Sequence, residues 1–246
     1  NRVNLLKEAK MILVDGTFRS CPSNFYQIIN IVGKIENKNI NMPIVSVLMK
    51  SKSENSYINL FENLKLIIKE NNINIDFSNL YIMSDFEVAL RNAIKNCFPD
   101  SVIVGCFFHY VKAIVNKFKE LGLLKKKYFL NIYKILFYFK IYPFLYEEDQ
   151  RNLLDFIIET FINSENVKSN KNIINYLIYF LKNWYGTSFT HFLDLTDNKL
   201  NIRTNNIAEG FNLKLNRIID HIHPKMSYFC EKYELLIIEY YNLYIN

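Results

Sequence analysis

"NLYIMSDFEVALRNAIKNCFPDSVIVGCFFH", residues 79–109, changes its hydrophobic period twice within a short span. Residues 79–85 form a brief apolar run that ends in Asp85. From 86 to 98 the apolar residues recur at helical spacing, and Pro99 stops the pattern because proline disfavours the α conformation before it. Residues 101–108 are a second apolar run, and from His109 to Leu123 the spacing turns helical again, with Gly122 in a cap position. Strand, helix, strand, helix with short connections predicts parallel strands joined by right-handed crossovers.

The residues before this block read differently. "MILVDGTF" (11–18), "FYQIINIVGKI" (25–35) and "MPIVSVLMKS" (42–51) are rich in β-branched and aromatic residues, and the polar breaks "CPSN" and "ENKNIN" separate them. Three consecutive strands suit an antiparallel meander. A helix follows over 53–71, where Tyr57, Leu60, Phe61, Leu64, Ile67 and Ile68 share one face and Ser53 or Ser56 caps the start. The full order is β-β-β-α-β-α-β-α, an α/β chain with a mixed five-stranded sheet covered by helices.

Beyond residue 124 the strand signal ends. Segments 125–141, 147–163 and 171–184 read as helices, 185–203 as a loop with short extended pieces, and two helical patterns run over 205–214 and from Pro224 to the end. The organisation expected is therefore 1–124, an all-helical part over 125–200, and a closing helical part over 201–246. The run "YFLNIYKILFYFKIYPFLY" (128–146) is long and apolar, but Lys134, Lys140 and Pro143 interrupt it. Charges near a bilayer centre cost about 2.5–3.5 kcal/mol each, so a buried helix is expected and no membrane partner.

Composition narrows the function classes without naming one. Half of the 246 residues are hydrophobic, 22% are charged, and Lys+Arg 30 against Asp+Glu 24 leaves a net charge of +6. This mild basicity is compatible with a polyanion but does not require one. Four scattered cysteines make no disulfide framework and read as a reducing, intracellular setting. Without an initial Met or a signal peptide, the chain reads as a segment of a longer protein. The sequence contains neither a G-x-x-x-x-G-K-[ST] loop nor a G-x-S-x-G elbow, which argues against a P-loop ATPase and an α/β-hydrolase.

Two aspartates stand where chemistry gathers in an α/β sheet. Asp15 and Asp85 each close an apolar run, at the carboxyl edge where strands aim their last side chains into a common crevice. Two carboxylates brought close repel unless a cation such as Mg²⁺ lies between them. Asp-Gly at 15–16 is equally a turn signal, and both readings stand on residues alone. Glu209, in "RTNNIAEGFNLKLNRI" (203–218), lies in the first turns of a helix whose apolar face is expected to carry Ile207, Phe211, Leu213 and Leu215. It is a third metal-ligand candidate or a glutamate favoured by the helix dipole. Cys106 and His109 have C-x-x-H spacing, a zinc half-site without a second half.

Taken together, "VDGTF", "FYQIINI", "SDFEVALRNAIKNCFPDSVIVGCFFHYVKAI" and "RTNNIAEGFN" resemble the transposase domain of Mutator-like elements (MULE). The resemblance covers most of residues 11–216, and Ser84 to His109 is its most specific block. It implies a ribonuclease-H-like fold with an all-helical insertion before the last catalytic helix. It also implies a D-D-E triad on Asp15, Asp85 and Glu209 holding two Mg²⁺ (or Mn²⁺) ions, and cleavage and strand transfer of DNA. Cys106 and His109 fall on the family's C-x-x-H motif, which supports the site without binding structural zinc. DNA is the implied partner, as terminal inverted repeats and target, in the nucleus, with a homo-oligomer compatible. Arg203, Asn205, Asn206 and Lys214 would lie near the last acid, as phosphate contacts or as helix cap and solvated face. Close variants often follow a FLYWCH-type zinc-finger domain. Family members carry Trp-His after the catalytic Glu-Gly, where this chain has Phe211 and Asn212, and "FLDLTDN" stands where a Trp-Asn pair often precedes R-T-N-N. Two other readings stay open: a domesticated or inactive descendant that binds DNA or protein, and an unrelated metal-dependent nuclease.

Overall fold

Strand β1 (Ala9–Thr17) owes its central place to Met11, Ile12, Leu13 and Val14, all buried, so the strand is apolar on both faces. Such a strand must be covered on both sides. Strands β2 (Gln27–Ile35) and β3 (Ile40–Met49) follow it as an antiparallel meander, β1 to β2 and β2 to β3. Strands β4 (Tyr81–Ser84) and β5 (Val102–Gly105) add in parallel on the other side, β4 against β1 and β5 against β4. The sheet order is β3-β2-β1-β4-β5. The computed structural model describes residues 2–124, 129–162, 171–185 and 204–245. These divide into two compact units, residues 1–106 with 204–246, and residues 107–203.

In the first unit, α1 (Glu54–Glu70) and α2 (Val88–Cys97) lie on one face of the sheet. Their Tyr57, Phe61, Leu64, Leu90 and Ile94 share a core with Ile12, Val14, Ile29 and Ile31. Ser53 caps α1 as expected, its hydroxyl accepting from the Ser56 N–H. The opposite face is covered by α7 (Asn206–Ile219) over β1 and β2, and by α8 (Met226–Ile245) over β3. Strand alternation divides the residues: Ile12, Val14 and Gly16 point to α1 and α2, and Asp15 points to the α7 side. Gly33 is a place where the sheet needs a glycine, because a Cβ there would stand 2.4 Å from Ile44 Cδ1 and 3.3 Å from Ala9 Cβ.

The second unit is helical: α3 (Phe107–Glu120), α4 (Phe129–Ile141), α5 (Glu147–Ile157) and α6 (Lys171–Asn183). Helix α5 continues into a π-helical turn, Ile158–Ile162. Gly122, with φ 67°, ends α3 as expected, and the Leu123 N–H returns to the Phe118 carbonyl. Aromatic rings fill the core. Phe118 packs edge-on against Tyr176 with centroids 4.0 Å apart, Phe139 lies 4.2 Å from Phe180, and Tyr110 donates to the Phe139 carbonyl. Among the described residues, no helix is long and apolar enough to cross a membrane.

Several boundaries differ from expectation. Strand β5 ends at Gly105 and α3 begins at Phe107; the Cys106 N–H still bonds to the Ser84 carbonyl, and its sulfur accepts the Asn205 N–H. Helix α7 runs to Ile219 and not to 214, since Leu215 and Ile219 extend its buried stripe and Asp220 ends it at φ 49°. That stripe is Ala208, Phe211, Asn212, Leu215 and Ile219; Leu213, expected inside, is 52% exposed. The expected loop over 185–203 lies, but for Tyr185, outside the described residues.

Candidate active site

Asp15 is not in a turn. It is paired with Asn30, Gly16 with Ile29 and Thr17 with Ile28, so the ladder runs straight through Asp-Gly. Gly16 keeps this register tight: a Cβ there would meet Gln27 Oε1 at 3.1 Å and Ile29 Cδ1 at 3.2 Å. The chain reverses later, where the Cys21 N–H bonds back to the Phe18 carbonyl. Asp15 is thus held by a central strand, and Asn212 of α7 donates from Nδ2 to its Oδ2 at 2.7 Å.

Register places the second acid beside the first. Leu13 is opposite Met83 in the parallel β1–β4 pair. Two residues further on, the same face comes round again, and the positions are Asp15 and Asp85. Asp85 follows β4 directly and turns the chain into α2, its Oδ1 accepting the Glu87 N–H at 3.0 Å. Arg91, one turn into α2, is buried. Burial draws its guanidinium down to about 10 and the Asp85 charge raises it. Glu87, which sequence reading passed over, is tied on both oxygens: Tyr57 donates to Oε1 at 2.9 Å and Lys52 to Oε2 at 2.8 Å. Gln27 donates in turn to the Tyr57 hydroxyl at 2.8 Å.

Glu209 is brought in by the start of α7. Asn205 precedes that helix and is fully buried, donating from Nδ2 to the Val14 carbonyl at 3.3 Å and from its N–H to the Cys106 sulfur at 3.2 Å. It therefore clamps the start of the helix to the strand residue before Asp15. The Glu209 N–H bonds to the Asn205 carbonyl, and a Glu209 oxygen lies within 4.8 Å of the Cys106 sulfur. One turn past Asn212, Asn216 pairs with the Thr17 hydroxyl and repeats the contact between α7 and β1.

Asp15 feels the other two carboxylates. Burial pushes the Asp15 carboxyl from 3.8 up to about 7; the Asn212 bond draws it back, and the charges of Asp85 and Glu209 push it further up. Neither group that holds it down, the Asn212 amide or the Gly16 N–H, is a cation. Among the described residues, the oxygens of Asp15, Asp85 and Glu209 do not all close to within 4.8 Å. The donor set fits a hard divalent cation, since oxygen ligands with surplus negative charge are what Mg²⁺ and Mn²⁺ take.

The remaining candidates fall in different places. Cys106 is buried at the end of β5, and His109 lies in the first turn of α3, in the helical unit. Asn205, expected among phosphate contacts, is enclosed in the fold and serves the scaffold. Asn206 is exposed at the start of α7. Lys214 is half-buried, bonded to Glu239 at 2.5 Å and lying over the Tyr240 ring, so its charge is directed to α8. Arg203 lies outside the described residues.

A family model for the MULE transposase domain matches residues 11–113. That span includes Asp15, Asp85, Cys106 and His109 and stops short of Glu209. No curated protein matches the chain. The MULE match points to a transposase-related function of nuclease type, with DNA as the partner and a divalent metal as the cofactor.

Proposed function

We propose that this chain is the catalytic part of a DNA transposase of the Mutator-like kind, cutting and joining strands through Asp15, Asp85 and Glu209. The observation that carries the reading is Asp15 itself, a strand carboxylate that burial first, and then the charges of Asp85 and Glu209, push up to about 7. Sheet order β3-β2-β1-β4-β5, with one acid on β1 and one after β4, is what a ribonuclease-H-like domain would present. In this reading residues 125–200, between Asp85 and Glu209 and within the unit of residues 107–203, are the insertion.

In this mechanism Asp15, Asp85 and Glu209 hold two Mg²⁺ or Mn²⁺ ions. Held by these carboxylates, such ions would supply Lewis-acid chemistry for an in-line displacement at phosphorus. The chain's own groups set the ligands beforehand. Asn212 occupies Asp15 Oδ2, the Glu87 N–H occupies Asp85 Oδ1, and Asn205 fixes the helix that carries Glu209. Each carboxylate is therefore oriented before substrate arrives, which lowers the reorganisation needed during the reaction. Exposed Asn206 is the described candidate for a phosphate contact. Terminal inverted repeats and target DNA are the substrates in this reading, and the nucleus is the place of work.

Asp85→Asn keeps the shape of the side chain and its bond from Glu87 while removing a ligand charge. It is expected to abolish Mg²⁺- or Mn²⁺-dependent nicking of terminal inverted-repeat DNA without loss of the fold. Undiminished nicking by the purified, folded variant would refute the assignment.

A further inference from the structure

Asp15, Asn30 and Ser46 are cross-strand neighbours, one in each of β1, β2 and β3, so they form a polar row across a sheet otherwise filled with Ile, Val, Leu and Met. The helices above complete that row. Asn212 Nδ2 donates to Asp15 Oδ2 at 2.7 Å, and Asn212 Oδ1 accepts from Asn30 Nδ2 at 2.5 Å. Asn30 Oδ1 accepts from the Ser46 hydroxyl, whose oxygen accepts from Tyr233 of α8 at 2.7 Å. At the far end, Arg2 Nη1 reaches the Tyr233 oxygen at 3.5 Å and the Pro43 carbonyl at 3.3 Å.

The ends of this chain of bonds determine its middle. A guanidinium can only donate and an ionised carboxylate can only accept. Every hydroxyl and amide between them therefore has one orientation that leaves no donor facing a donor. Asn30 is fully buried and Asn212 nearly so, so neither amide can turn to water if the direction fails. Aligned hydrogen bonds also polarise one another, which strengthens the last one. A packing role alone would not require five donors to point the same way.

We propose that Asn212, Asn30, Ser46 and Tyr233 are positioning residues, a one-way hydrogen-bond relay that presents Asn212 as a donor to Asp15 and so fixes the direction in which Asp15 offers its other oxygen. This rests on the reading of Asp15 as a metal ligand. Ser46 and Tyr233 reach Asp15 only through intermediaries, and their effect on it passes along the relay. Partners that orient a metal-binding carboxylate typically change metal affinity by about 10- to 100-fold when removed.

The test is Mn²⁺ affinity, measured by electron paramagnetic resonance on the folded full chain at a temperature well below each variant's melting point. Asn212→Leu is expected to weaken Mn²⁺ binding by about 10- to 100-fold. Ser46→Ala, two bonds further from Asp15, is expected to weaken it by about tenfold, and Tyr233→Phe by less, as loss propagates along the relay. Ser46→Thr, which keeps the hydroxyl, restores binding to near the wild-type value. Wild-type affinity in both Ser46→Ala and Tyr233→Phe would overturn the relay, as would equal loss in Ser46→Ala and Ser46→Thr. Asp15→Ala separates the two readings. If it leaves Mn²⁺ binding intact, the metal-ligand assignment fails; if it abolishes binding while the relay variants bind normally, only the relay fails.

Discussion

The substitution Asp15→Asn should stabilise the metal-free protein, and the pH dependence of the gain identifies its cause. The Asp15 carboxyl is raised by burial, and further by Asp85 and Glu209, from 3.8 to about 7. A raised acid binds its proton more tightly in the folded chain than in the unfolded one. Between those two values the folded state therefore carries the extra proton, and stability falls as pH rises from about 4 to about 7. A difference of about three pK units, at 1.36 kcal/mol each, sets a ceiling of about 4 kcal/mol on the penalty above pH 7. The introduced asparagine has the same shape as the aspartate, its carbonyl can still accept from Asn212, and it carries no charge. The variant should match the wild type only below about pH 4, gain on it steadily from there, and exceed it at pH 8 by up to about 4 kcal/mol. At about 2–4 °C per kcal/mol for a domain of this size, the melting point should rise on the order of 10 °C. Urea melts of both proteins in EDTA, at pH 5 and pH 8, measure this, because groups common to both cancel in the difference. Adding Mn²⁺ at pH 8 should stabilise the wild type and leave the variant nearly unmoved. A variant no more stable at pH 8 than at pH 5, relative to wild type, would refute the claim that burial, with the neighbouring acids, raises this carboxyl.

Two backbone predictions concern glycines in opposite situations. Gly33→Ala should destabilise by about 1–3 kcal/mol, because its Cβ would meet Ile44 Cδ1 at 2.4 Å, and thermal denaturation measures the loss. Gly210→Ala should stabilise by about 0.5–1 kcal/mol, since this helical glycine has nothing within 4 Å of an added Cβ. If the Gly210→Ala protein melts higher but nicks DNA more weakly, the open space beside Glu209 is where the substrate backbone approaches.

The sheet was legible because burial makes its own pattern. Five apolar runs of strand length, with periodicity switching to 3.6 between the last three, leave few arrangements once crossovers are right-handed. Asp85 and Glu209 were readable by position, one after an apolar run and one in a first helical turn. Asp15 was readable as a residue of the first apolar run, but strand and turn stayed open because Asp-Gly favours a turn locally, and only the pairing with β2 decides for the strand. The end of α7 was misjudged for a related reason. Leu213 is apolar but faces solvent, and Asn212 is polar but faces the sheet, so hydrophobicity alone draws the stripe in the wrong place.

What no sequence pattern shows is which polar residues work as a set. Asn30, Ser46, Asn212 and Tyr233 are far apart in the chain, and this sequence is so rich in asparagine that none stands out. Their meeting depends on strand register, which places Asn30 between Asp15 and Ser46, and on helix phase, which turns Asn212 inward. The Phe211–Asn212 pair illustrates the point. It departs from the Trp-His of the resembling family, yet the ring of Phe211 is buried 5.5 Å from Tyr240, and Asn212 supplies Asp15 with a neutral donor. In this chain those positions supply a packed aromatic ring and a neutral hydrogen-bond donor. Here the orientation of the carboxylate falls to the Asn212 amide, which cannot titrate and so holds Asp15 in the same way at every pH.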